Sequence, residues 1–288
     1  LHPIMPFITE EIYLQLFNID ESIMISKFPQ FDEKFDFKSD EEEIEKEMVE
    51  IKWDAEAAEK GGYEHFMIKE IHEQPKAVSD TLNSVVKDGA IDLSEVGLSE
   101  EEIKEISQIY IVACGSAYHV GVAAQYVMED LARIPVRVEL ASEFRYRNPI
   151  LDPKGLVIII SQSGETADSL AALRESKKQG VKTLGIVNVI GSSIAREADN
   201  VFYTLAGPEI AVATTKAYST QLIAAYVLAL QFAKIRSEIT EEQCDAYVKE
   251  LKTLPEKIKR ILEDKERLQW FASKQANAKD IFFIGRGI

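Results

Sequence analysis

The feature that most constrains this chain is a run of short, uninterrupted β-branched segments alternating with helical stretches between residues 100 and 240. Ile109-Tyr110-Ile111-Val112-Ala113, Val136 to Leu140, Leu156-Val157-Ile158-Ile159-Ile160, Thr183 to Val189 and Val201 to Leu205 read as strands. Ser116 to Leu131, Ala167 to Gln179 and Thr215 to Ile235 carry helical spacing. A strand that is apolar on both sides has no face for solvent, so helices must cover it above and below. Strands and helices in this alternation pair in parallel through right-handed crossovers. The expected fold class is α/β, a doubly wound parallel sheet in three layers.

The flanks read differently. Pro6 stands before a short amphipathic helix running to Phe17, and Ser22 to Ser26 alternates weakly before Pro29. Between Phe31 and Lys60 there are about 13 acids and 5 bases, half of the chain's net charge of −16. Trp53 to Lys60 favours helix, Gly61-Gly62 interrupts it, and Tyr63 to Gln74 resumes helical spacing until Pro75 ends it. Pro75 to Lys87 then reads as a further helix, stopped by Asp88-Gly89. Beyond Ile235 the spacing predicts helices over Cys244 to Lys259 and Asp264 to Lys274, then a strand, Ile281-Phe282-Phe283-Ile284. With Gly285-Arg286-Gly287 this repeats the strand-then-glycine pattern of Ile111 to Gly115. A second, truncated α/β unit is expected there, and both ends of the chain read as cut. The expected divisions are 1–50, a short helical segment with an acidic linker; 51–98, a helical lead-in; 99–240, the first α/β domain; and 241–288, the start of the second.

Composition removes several classes of function. The longest apolar run, Leu222 to Leu230, is far short of the roughly 20 residues of a membrane span. An excess of 49 acidic over 33 basic residues argues against a broad nucleic-acid surface. Two cysteines, Cys114 and Cys244, make no disulfide framework, which points to a reducing, cytoplasmic setting. No membrane and no nucleic-acid partner is expected.

In an open parallel sheet, ligands sit at the carboxyl ends of strands beside helix N-termini. Two such ends carry unusual residues: Cys114-Gly115-Ser116-Ala117, and Ser161-Gln162-Ser163-Gly164-Glu165-Thr166. The second has three hydroxyls within six residues, a permissive glycine and free backbone N–H groups, which together make an anion cradle. No lysine stands where a nucleoside-triphosphate loop needs one, and no G-x-G-x-x-G follows the first strand. A phosphate monoester is the best fit. Ser, Thr and Gly also serve as plain helix caps, and Thr214-Thr215-Lys216 reads first as a cap. Cys114 reads as a small thiol lining a pocket, because no His/Asp arrangement is near it. His119 reads as a packing or surface residue. His65 and His72 lie seven residues apart without a cysteine partner, so no metal site is expected, and no cofactor.

Two resemblances follow from longer motifs. Leu1-His2-Pro3-Ile4-Met5-Pro6-Phe7-Ile8-Thr9-Glu10-Glu11-Ile12-Tyr13, with Glu21 to Ser26, resembles the anticodon-binding domain of valyl-tRNA synthetases over some 50 residues. It carries neither ATP-binding signature of that class. From about Ile51 onward the chain is similar to the isomerase part of the glutamine–fructose-6-phosphate aminotransferases, which is built on two sugar-isomerase (SIS) domains. The motifs are Trp53 to Met67 with Lys69 to Pro75, Val112 to Ser116, Ser161 to Asp168 and Glu209 to Ala217. That resemblance implies a flavodoxin-like sheet, and fructose 6-phosphate or glucose 6-phosphate as ligand. It implies that Ser161, Gln162, Ser163 and Thr166 hold the phosphate, and that Cys114, Gly115, Ser116, Val212 and Thr214 line the sugar. Ala117 stands where many members carry a hydroxyl. The family's glutaminase domain is not in this sequence, and its proton-moving glutamate, ring-opening histidine and imine lysine belong beyond Gly287. No catalytic residue is therefore assigned, and this stretch alone is expected to be inactive, while the intact family enzyme is expected to be a homodimer. Two other readings compete: a stand-alone sugar-phosphate sensor, and a tRNA-binding fragment resting on residues 1–50.

Overall fold

Five strands form one all-parallel sheet in the order β4-β3-β5-β6-β7. They are β3 (Gln108–Ala113), β4 (Val136–Leu140), β5 (Gly155–Ser161), β6 (Lys182–Val187) and β7 (Asn200–Tyr203). The computed structural model describes residues 59–282, 284 and 285. The readings of Pro6 to Phe17, Ser22 to Ser26 and most of Trp53 to Lys60 lie outside them. Counted from β3, the sheet order is 2-1-3-4-5, the flavodoxin-like arrangement.

The continuous apolar runs are buried on both faces as expected. Leu156 to Ile160 of β5 are at most 1% exposed. Ile109 and Ile111 of β3 and Leu156, Ile158 and Ile160 of β5 face one helical layer. That layer consists of α1 (Phe66–Val85), α3 (Ser116–Leu131), α7 (Lys216–Ile235) and α8 (Glu241–Leu251). Tyr110, Val112, Val157 and Ile159 face the other layer, formed by α4 (Ala141–Tyr146), α5 (Ala167–Lys178) and α6 (Ser193–Glu197). Each buried Ile or Val adds about 1.5–3 kcal/mol to the core. The short helices α2 (Glu100–Glu105), α4 and α6 are too brief for periodicity to betray them.

Four expectations are corrected. Pro75 does not end a helix; it lies inside α1. A proline leaves the carbonyl four residues back without its donor, here that of Ile71, and the Gln74 side-chain amide supplies one at 3.0 Å. After α1, Asp88-Gly89 does more than stop a helix. It turns a two-stranded hairpin, β1 (Val86–Lys87) against β2 (Ala90–Ile91), with φ of +51° and +90°, the primed-turn geometry that suits Asp-Gly. Toward the end, the predicted helix from Cys244 to Lys259 divides into α8 and α9 (Leu254–Glu263), with Pro255 in the first turn of α9. After α10 (Lys265–Lys274), residues 281, 282 and 284 are not in a strand, and Ile281, Phe282 and Ile284 are 59–95% exposed. A strand needs a neighbour to take its hydrogen bonds, and none of the described strands lies beside this segment. No described helix is long and apolar enough to cross a membrane.

Candidate functional site

From β3 the chain crosses to β4 on one side, whereas from β5 it crosses to β6 on the other. The carboxyl ends of β3 and β5 therefore flank the point where the winding reverses, and a crevice opens there. It holds a cavity of about 170 Å³ lined by Cys114, Ser116, Ala117, Ile160, Ser161, Gln162, Ser163, Thr166, Thr214 and Gln221. Of the nine residues singled out from sequence, seven line it. Gly115, the eighth, is the residue before α3, with φ +56°.

The β5 loop is held by its own hydroxyls. Ser161 Oγ lies 3.0 Å from Thr166 Oγ1 and accepts the Gly164 N–H at 3.1 Å, while Ser163 Oγ accepts the Glu165 N–H at 3.2 Å. The Ile194 N–H donates to the Gly164 carbonyl, and the Asn188 N–H to that of Gln162, tying the loop to β6 and α6. Glu165 turns away to accept the Ser193 N–H at 2.7 Å. Ser193, through its side-chain hydroxyl first and its N–H second, holds that carboxyl below the usual carboxylate range.

The capping alternative can be judged directly. Gly115 and Thr166 precede α3 and α5, and neither helix has a side-chain cap at its N-terminus, whereas the start of α7 is capped by Glu209, which accepts the Ala217 N–H at 3.2 Å. Ser99 and Thr240, before α2 and α8 and absent from the cavity lining, both form complete capping boxes. Thr166 spends its hydroxyl on Ser161 instead. The N–H groups at the starts of α3 and α5, each with a residue at the cavity, are thus left without a side-chain cap, as helix starts that receive an anion are.

Val212 is the exception. It is fully exposed and does not line the cavity, while Thr214, two residues on, does. The reason lies in how the 209–215 loop is held. Glu70 of α1, 2% exposed, accepts the Ile210 N–H at 2.6 Å and the Ala211 N–H at 3.1 Å. Glu209 accepts the Thr215 and Ala217 N–H groups, and burial pushes its carboxyl up despite those donors. Lys216 Nζ reaches Glu73 at 2.7 Å, and Ser219 donates to Gln74 at 2.7 Å. With the backbone pinned on both sides of it, Val212 is left in solvent.

Other candidates fall away from the site. His119 is exposed and packs edge-on against Tyr118, and His72 stacks on Tyr63. Cys114 is half-buried at the cavity wall, with Sγ 3.8 Å from Ser169 Oγ. A wider hollow of about 860 Å³ between α9 and α10 is lined by Arg260, Ile261, Trp270, Phe271 and neighbours, with no strand end or hydroxyl cluster. Sequence reasoning missed Gln221 and Glu70. A glutamine directly before the apolar run Leu222 to Leu230 was the available sign of the first. The second sat inside the Lys69 to Pro75 motif without a role.

Comparison with known proteins agrees with this geometry. Residues 102–231 match the SIS domain family, and residues 1–60 match the anticodon-binding domain of tRNA ligase. The chain is 56% identical over 246 residues to the glutamine–fructose-6-phosphate aminotransferase [isomerizing] of Caldanaerobacter subterraneus subsp. tengcongensis, covering 85% of this chain and 40% of that protein. It is 54% identical over 258 residues to the enzyme of the same name from Clostridium acetobutylicum, covering 89% of this chain and 42% of that protein. Among solved structures it is similar to the C-terminal domain of glucosamine-fructose-6-phosphate aminotransferase from Francisella tularensis, with TM-score 0.73 and 42% identity over 76% of this chain and 61% of that one. The chain thus spans about two fifths of the length of these curated relatives. Over most of its length, this chain is similar to the isomerase part of the glutamine–fructose-6-phosphate aminotransferases, with a match to the SIS domain family at its centre.

Proposed function

We propose that the crevice between β3 and β5 binds fructose 6-phosphate, as the sugar-phosphate half-site of an enzyme that makes glucosamine 6-phosphate with glutamine as nitrogen donor. The observation that carries this reading is the meeting of two uncapped helix starts, those of α3 and α5, at one hydroxyl-lined cavity. In this reading Ser161, Gln162, Ser163 and Thr166 surround the phosphate, and Cys114, Gly115, Ser116 and Thr214 lie along the sugar. Val212, fully exposed and off the cavity lining, is given no part in this reading. A homodimer of the intact enzyme and a cytoplasmic setting belong to the same proposal. The enzyme is favoured over a sensor because Glu70, Glu73 and Gln74 of α1 reach across to hold the 209–219 segment. The lead-in is thereby part of the site's construction.

Calorimetry with fructose 6-phosphate and with fructose tests the phosphate assignment. Binding of the phosphorylated sugar only is expected, weakened about tenfold in Ser163→Ala by loss of one hydroxyl. Equal heats for the two sugars would sink it.

Chemistry is a separate matter. Moving a proton between sugar carbons needs an ionisable group within about 2.6–3.2 Å of that proton. The described residues lining the cavity include no carboxylate, histidine or lysine, and Glu165 is committed to Ser193. The purified chain is therefore expected to bind without turnover, with glutamine or with free ammonium. Sustained glucosamine 6-phosphate production that disappears in Ser163→Ala would mean that the base lies among these residues after all.

A further inference from the structure

Gln221 is the polar residue of the cavity whose position nothing local explains. It lies in the second turn of α7, is 1% exposed and borders the cavity with Ile160 and Cys114. Neither its Nε2 nor its Oε1 has a hydrogen-bond partner among the described residues. Its neighbours on the same helix are satisfied or apolar: Thr220 donates to the Ala217 carbonyl, and Ile223, Ala224 and Ala225 are core. Leaving both ends of a buried amide unpaired is costly, and native structures rarely tolerate it without a reason. An apolar side chain of the same length would fill this place more stably. The amide is thus kept at a cost to the fold, on the wall of a ligand cavity.

The chemistry of the two sides of the cavity differs in a telling way. The β5 loop and the helix starts offer N–H and O–H donors, which suit a phosphate, an acceptor only. An amide offers a donor and an acceptor together, the pairing that a sugar hydroxyl satisfies and the dianionic phosphate group of a monoester does not. We propose that Gln221 is a specificity-determining residue that reads a hydroxyl of the ligand's polyol chain, so that the site selects a phosphorylated sugar over phosphate itself. This rests on the sugar-phosphate reading above and deepens it.

The test uses the full chain with two probes, fructose 6-phosphate and inorganic phosphate, in the unaltered protein and in Gln221→Met. Loss of two neutral hydrogen bonds is expected to weaken the sugar phosphate roughly tenfold or more, leaving phosphate within about twofold. The thermal midpoint of the unliganded variant is expected to hold or rise, because an unsatisfied amide is removed from the core. A structural role moves the midpoint the other way. Gln221→Leu, measured identically, guards against a methionine that happens to mimic the amide's packing. Unchanged sugar-phosphate affinity in both variants would overturn the proposal, and so would parallel weakening of both probes with a lowered midpoint. If the unaltered chain binds neither probe, the reading of the cavity fails and this proposal with it. Phosphate bound normally, with the sugar phosphate unaffected by the substitutions, defeats the role of Gln221 alone.

Discussion

Replacing Gly164 with alanine is expected to lower the thermal midpoint by roughly 10 °C and to remove phosphate binding with it. Two independent effects add. Gly164 has φ +67°, where a residue with a Cβ costs about 1–2 kcal/mol. The added Cβ would also lie 2.0 Å from Ser192 Oγ and 2.5 Å from Ser192 Cβ, both far inside contact distance. Ser192 is 3% exposed and cannot swing out, so an overpacking cost of about 1–3 kcal/mol follows. The loop has little slack, because the Gly164 N–H is bound to Ser161 and its carbonyl to Ile194. Adding Ser192→Gly should return the steric part of the loss and leave the backbone part. Circular dichroism melts of the single and double variants decide this. A midpoint within a degree or two of the parent would mean that the Ser161–Thr166 loop rearranges freely and is no rigid cradle.

Removing the Glu70 carboxylate with Glu70→Ala is expected to weaken fructose 6-phosphate binding about 10–100-fold, through a residue that does not line the cavity. The carboxylate is the acceptor for the Ile210 and Ala211 N–H groups. Deleting it leaves two backbone donors unpaired, at a cost of about 1–3 kcal/mol each, relieved only if the loop moves into water. Thr214 moves with that loop and leaves the cavity wall. Inorganic phosphate should bind nearly as before, since the β5 loop is held by its own hydrogen bonds and not by Glu70. Glu70→Gln keeps one acceptor oxygen and should fall between the two. Amide exchange at Ile210 and Ala211 reports the release directly. Faster exchange with unchanged sugar-phosphate affinity would remove the loop from the site.

These two residues also mark how far the chain's reading reaches. The SIS core was legible because its signals are local. The apolar runs announce strands buried on both faces, and helices α3 and α5 begin at the residues read from spacing, Ser116 and Ala167. The hydroxyl-rich turn after β5 was legible as a candidate site for the same reason, since its hydroxyls and N–H groups lie within six residues of one another, and it does border the cavity. Residue types and short-range spacing thus pointed to the α/β class, the parallel sheet and the two strand-end loops that border the cavity, while Thr214 was placed there by the family resemblance. Other features depended on groups brought together from distant parts of the chain. Pro75 inside α1 is tolerated because Gln74 replaces the missing donor, and Ser219, 145 residues away, holds Gln74 in turn. Ile281, Phe282 and Ile284 have strand composition, yet a strand exists only beside a partner, and none of the described strands pairs with them. Val212 stands in solvent because Glu70, 140 residues upstream of Ile210, fixes the backbone before it. Gln221 reaches the cavity only because α7 packs back against the sheet beside β5. Periodicity and turn chemistry are properties of neighbouring residues, so the sequence carried them. Which donor meets which acceptor across a hundred residues or more is decided by packing, and only the tertiary structure decided that.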